Sequence, residues 1–154
     1  MIFVTVGSIH YPFARLVDAA AKLDGEVVIQ HGPAAAPRGV SRAVDFLPFD
    51  EVADYMRRAE VIVTHAGVGS IVLAAQNGHV PVVMPRLRRF GETVDDHQVP
   101  LVELLAAHGT VVPALEPAEV AGAVGHVPER AAPQPPAERS LHHEVRAALE
   151  GTGR

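Results

Sequence analysis

The chain has 154 residues, 48% of them hydrophobic and only 5% aromatic, with no cysteine and a formal net charge of -5. That length suits one domain with a real core and is short for two nucleotide-fold domains. The charge argues against a nucleic-acid backbone as partner, and the missing cysteines exclude disulfides, thiolate nucleophiles and Cys-based metal sites.

Taken in chain order, short β-branched runs alternate with helix-length amphipathic segments, the pattern of βαβ units feeding a parallel sheet. The first run, residues 1–6, lacks the basic start and long apolar core of a secretory signal, so a cytoplasmic location is expected. Val6-Gly7-Ser8 then turns the chain into a helix over 13–23 that presents Phe13, Leu16, Val17 and Ala20 at helical spacing. Strands follow near 26–31 and 43–47, a helix at 50–58 and a strand at 60–64.

Val61-Ile62-Val63-Thr64-His65-Ala66-Gly67-Val68-Gly69-Ser70 joins that strand to a helix over 69–77. Such a junction aims free backbone N–H groups and a positive helix end at the carboxyl edge of the sheet, where phosphates bind. Two glycines also serve a plain tight turn, and the spacing alone leaves both readings open, as it does for Gly7-Ser8. The P-loop lysine and the flanking pattern of a nucleophile elbow are both absent. The most apolar window, 61–75, falls short of the ~18 to 20 apolar residues that span a bilayer.

After a strand at 80–84, Pro85-Arg86-Leu87-Arg88-Arg89-Phe90-Gly91-Glu92 and Asp95-Asp96-His97-Gln98 form a dense polar loop before a helix over 95–107. It reads as an exposed recognition loop: Gln98 and neutral His97 offer donors and acceptors for sugar hydroxyls, and Glu92 an acceptor. The plainer alternative makes Asp95 and Asp96 first-turn helix decoration and leaves the arginines solvated. A strand at 109–113 and a helix at 117–124 complete a domain over 1–127. Next come a proline-rich connector at 128–139 and a C-terminal helix and tail at 140–154. Leu141, Val145 and Leu149 stripe that helix, which packs on its own domain or docks on a partner. Nine histidines form no zinc-binding pattern, so no metal or other cofactor is expected; His79, His108 and His126 read as surface or capping residues.

Four segments together carry a family likeness: Val4-Thr5-Val6-Gly7-Ser8 with Pro12-Phe13, Phe46-Leu47-Pro48-Phe49, Thr64 to Ser70, and Pro85-Arg86-Leu87 with Gly91-Glu92 and Asp95-Asp96-His97-Gln98. They resemble the glycosyltransferases whose GT-B C-terminal domain also occurs free-standing. These include the donor-binding subunit of the two-part UDP-N-acetylglucosamine transferase of dolichol-linked oligosaccharide synthesis, and subunits of bacterial exopolysaccharide assembly. The likeness runs from Met1 to about Gly109, with little signal after about residue 125.

The resemblance implies a Rossmann-like α/β domain that binds a UDP-sugar and moves its hexose to a lipid-linked or polysaccharide acceptor. It implies a membrane-anchored acceptor-binding partner, through which alone the chain meets the membrane, and inactivity without that partner. It places the diphosphate at Gly67, Gly69 and Ser70 with His65, Gly7 and Ser8, the sugar at Asp96, His97 and Gln98, and the uracil near Phe49. Many relatives carry a ribose-binding glutamate where this chain has Leu73, and Glu92 is the expected substitute. The general base is unassigned. The alternative is a non-catalytic nucleotide-binding or scaffolding module of the same fold.

Overall fold

The structure is a computed structural model that describes residues 1–132. Six strands form one parallel sheet: β1 (Ile2–Thr5), β2 (Val27–Gln30), β3 (Arg42–Val44), β4 (Val61–His65), β5 (Val82–Met84) and β6 (Val112–Pro113). Their spatial order is β3-β2-β1-β4-β5-β6, in register with Phe3 opposite Val28 on one side and Ile62 on the other. Five helices flank them: α1 (Ala14–Ala20), α2 (Phe49–Arg58), α3 (Val68–Gln76) and α4 (Gln98–Ala107) between strands, and α5 (Val120–Gly125) after β6. Short 3-10 turns at Arg88–Phe90 and Pro117–Glu119 precede α4 and α5. Every strand and helix expected from residues 1–127 is present, and the parallel, Rossmann-like α/β sheet is as the alternation implied.

The alternation of side chains along a strand sends neighbours to opposite faces, and here both faces are apolar. Val4, Val27, Ile29, Val63, Val82 and Met84 pack with Phe13, Leu16 and Val17 around α1 and with Val120 of α5. Phe3, Val28 and Ile62 face the other way onto Tyr55 and Met56 of α2, with the Phe3 and Tyr55 rings stacked at 5.0 Å. Val83 meets Ile71 of α3 and Leu101, Val102 and Leu105 of α4 on the same side. Burying one such side chain stabilises the fold by roughly 1.5–3 kcal/mol, so the sheet between two helical layers holds the domain together.

Helix ends follow local chemistry. α2 carries Asp50 and Glu51 in its first turn and Arg57 and Arg58 in its last, matching the helix dipole, and Asp54 pairs with both arginines. His108 and His126 bond through Nδ1 to the carbonyl oxygens of Leu104 and Gly122 near the ends of α4 and α5, the capping role expected of them. His79 is different: it is buried, with Nε2 2.8 Å from the Met56 carbonyl oxygen, and burial lowers its pKa. Beyond α5 the chain crosses the ends of α2 and α3, where Arg130 donates to the carbonyls of Arg57 and Asn77. Most of the connector and the expected C-terminal helix lie outside the described residues. Among those described, no helix is long and apolar enough to cross a membrane.

Candidate functional site

The strand order reverses direction between β1 and β4, so the loops leaving their carboxyl ends diverge and open a crevice, the usual ligand position in such sheets. On the β4 side, α3 starts without a side-chain cap, and its first internal bond runs from Ile71 N–H to Gly67 O at 3.1 Å. The amides of Val68, Gly69 and Ser70 therefore have no protein acceptor among the described residues. Three orphan donors at the positive end of a nine-residue helix form a ready anion site. On the β1 side, Gly7 adopts φ 74° and its N–H is already spent on Thr5 Oγ1 at 3.1 Å. Its carbonyl accepts from Gln30 Nε2 at 3.3 Å, so Gly7 shapes the turn and does not itself donate to a phosphate. Ser8 is exposed beside it, and its N–H has no protein acceptor among the described residues.

Between the two loops sits the His65 imidazole, 5% exposed. A Cβ on Gly7 would lie 2.5 Å from its Cε1, and one on Gly67 2.6 Å from the same atom and closer still to Nε2. Both glycines are thus required by one ring, and at Gly7 the positive φ adds a second reason. Thr64 Oγ1 donates its proton to Thr5 O at 3.1 Å and so accepts from the His65 Nδ1–H at 3.3 Å, which assigns the tautomer. Burial, reinforced by the nearby Arg86 charge, holds the His65 pKa at about 4, so the ring is neutral at physiological pH. His65, expected to touch the ligand, is instead a buried spacer that sets the separation of the two loops.

The β5–α4 loop departs furthest from the exposed recognition loop that its composition suggested. Arg86 is fully buried. Its guanidinium donates to Val6 O at 2.7 Å, Tyr11 O at 2.9 Å and Glu92 O at 3.0 Å, and stacks 4.7 Å from the Phe13 ring centroid. Burial lowers its pKa to about 10, against the opposing pull of Glu92, and it stays charged. Glu92 is 2% exposed and its carboxylate is taken: Arg15 Nε and Nη2 donate at 2.8 and 2.7 Å, and Leu87 N–H at 2.9 Å. The expectation that Glu92 faces a ribose is corrected, because its side chain points into this ion pair. Sequence reasoning missed Arg15; an arginine in the first turn of α1, where the dipole favours acids, was the available signal.

The rest of that loop stays nearer the surface. Asp96 is exposed and caps Arg88 N–H at 2.8 Å. Asp95 accepts from His97 N–H at 3.1 Å and from its ring Nδ1 at 2.9 Å, contacts that hold its carboxyl below the usual range, while His97 remains 82% exposed. Gln98 opens α4 and its Oε1 accepts Arg86 N–H at 3.0 Å, which leaves its amide N–H groups as the donors it can offer. Arg88 and Arg89 are exposed, Arg89 near Glu116 at 3.4 Å.

Two hollows flank the crevice. One of about 260 Å³ is bounded by Gly7, Ser8, His10, Gly32, Asp45 and Phe46. The other, of about 390 Å³, is bounded by Pro85, Leu87, Arg89, Asp96, Val99 and Leu115. The large exposed apolar side chains Ile9, Phe46, Phe49, Phe90, Val94 and Leu115 all follow carboxyl ends of strands, Phe49 at 74% exposure. Among the described residues, no group of three His, Asp or Glu side chains is placed to hold a metal ion.

Residues 1–150 match the glycosyltransferase family 28 C-terminal domain. The chain belongs to this family. No curated protein matches it. The family 28 match extends past Gly109, where the likeness read from the motifs ends, and takes in the proline-rich and C-terminal segments. Family 28 membership assigns sugar transfer as the chemistry and a GT-B-type donor-binding domain as the role of the sheet. Leu73, where the family likeness implied a ribose-binding glutamate, packs partly buried against the Met56 and Ala74 cluster. Neither Leu73 nor Glu92 therefore offers a free carboxylate at this site.

Proposed function

We propose that this domain is the donor-binding subunit of a glycosyltransferase that moves a hexose from a UDP-sugar to a lipid-linked or polysaccharide acceptor, working with a membrane-anchored partner at the cytoplasmic face. The observation that carries it is the set of unclaimed amides at Val68, Gly69 and Ser70, beside the Ser8 turn, in a family 28 domain. When an acceptor hydroxyl displaces UDP from the anomeric carbon, charge grows on the leaving diphosphate. Fixed N–H donors at a helix start stabilise that charge as it develops, without reorganising at the moment of reaction. In this reading Asp96, His97 and the Gln98 amide contact the sugar, Phe49 lies near the uracil, and no metal takes part. The apolar lip along the carboxyl rim supports a partner that closes the cleft and brings the acceptor.

The second reading, a nucleotide-binding module without turnover, draws on Leu73 and on the Arg15–Glu92 pair, which leave the ribose without a carboxylate from either position. Calorimetric titration with a panel of UDP-sugars, followed by transfer of radiolabelled sugar to a lipid-linked acceptor with the partner present, separates them. Binding and transfer together support the transferase. Binding without transfer supports the module, and no binding refutes both.

A further inference from the structure

A fully buried guanidinium, a partly buried one and a buried carboxylate share the base of the β5–α4 loop, and they are unequally matched. Glu92 gives both oxygens to Arg15 and the remaining acceptor capacity of Oε2 to Leu87 N–H. Arg86 is left with three carbonyl oxygens, no ion pair among the described residues, and a buried Nε without any acceptor. A fully buried, always-charged group normally needs a carboxylate of its own, because desolvating a cation is expensive. The cluster of Arg15, Arg86 and Glu92 therefore carries one excess positive charge.

That excess lies at the crevice. Val6 O, the acceptor of the shortest Arg86 bond, belongs to the peptide that opens the Gly7 turn. Tyr11 O, a second acceptor, lies on the same loop, and the Arg86 main-chain N–H is held by Gln98. One residue thus reaches both sides, its guanidinium holding the loop after β1 and its main-chain N–H the Gln98 end of α4, and its positive charge sits behind the Gly7-Ser8 turn. Its influence already reaches His65, the ring wedged between Gly7 and Gly67.

We propose that Arg86 is an electrostatic positioning residue of the anion site: its unneutralised charge, buried behind the Gly7 turn, attracts the diphosphate of a nucleoside diphosphate without touching it. A charge in a low-dielectric interior acts over several ångströms with little screening, whereas the exposed Arg88 and Arg89 are screened by water and salt. This rests on the nucleotide-binding reading above and adds to it the source of the positive potential.

The test is calorimetric titration of the wild-type chain, Arg86→Lys and Arg86→Gln with uridine, UMP and UDP, with the His65 ring followed by NMR in the free proteins. Uridine is the internal control for an intact fold. The expected result is a graded loss in Arg86→Gln, on the order of tenfold for UDP and negligible for uridine, with most of the UDP affinity retained in Arg86→Lys. The His65 titration moves up toward its ordinary value in Arg86→Gln and stays depressed in Arg86→Lys. Equal losses for all three ligands, or equal losses in the Lys and Gln variants, overturn the inference alone and make Arg86 a purely structural clasp. Failure of the wild-type chain to bind UDP overturns the nucleotide reading and this inference with it.

Discussion

Gly67→Ala is a sharp test of the His65 spacer, because φ at Gly67 is an ordinary -84° and the backbone accepts alanine without strain. The nearest obstacle among the described residues is the imidazole, whose Cε1 would lie 2.6 Å from the new methyl group and whose Nε2 would be nearer. His65 is buried, so the ring must be displaced within a packed interior, and overpacking of this kind costs about 2 kcal/mol. His65→Ala removes the obstacle and leaves a cavity, itself costing on the order of 2 kcal/mol. In the double variant the alanine methyl enters the vacated space, so the two losses do not add; urea unfolding of all four proteins should give a coupling of about 2 kcal/mol. Gly7→Ala behaves differently. Its φ of 74° costs roughly 1–2 kcal/mol for any side chain, so His65→Ala relieves only part of its penalty. Additive losses for the Gly67 and His65 pair would refute the wedge.

Two further outcomes follow from the buried charges. The folded pKa of His65, about 4, lies below its ordinary 6.5, so the unfolded chain binds the proton more readily. Stability is then complete above about pH 6.5 and falls by about 3 kcal/mol as pH drops toward 4; His79, lowered by burial, adds in the same direction. Urea midpoints between pH 7 and 4.5 should show this slope, and His65→Gln should flatten it; an unchanged slope contradicts the assignment. Glu92→Gln leaves Arg15 without its buried counter-charge and should lower stability by about 3 kcal/mol in urea unfolding, while UDP affinity of the folded protein holds or rises, because the cluster becomes more positive. A stable Glu92→Gln protein with weakened UDP binding would instead return Glu92 to the ribose.

How far the sequence can be read depends on the range of the interaction involved. The six strands and five helices of residues 1–127 follow from apolar periodicity and turn residues a few positions apart, and the two glycine turns follow from where strands end. The orphan amides of α3 are likewise a local fact, since Gly67-Val68-Gly69-Ser70 supplies no side-chain cap. His108 and His126 cap their helices through bonds four residues away, and they too were legible.

Charged and polar residues of the β5–α4 loop were not. Arg86 has the same local setting as Arg88 and Arg89, yet it alone is fully buried, because β5 lies beside β4 and two strands from the Gly7 turn, with Val6 O eighty residues away in the chain. Glu92 turns inward for Arg15, seventy-seven residues distant, and His79 for Met56 across a helix end. By itself the sequence determined the strands, the helices and the uncapped glycine turn before α3, since each is written in neighbouring residues. Only the tertiary structure decided which charges are buried and which stay exposed: strand order brings remote carbonyls and carboxylates together, and a buried charge goes where its partners are.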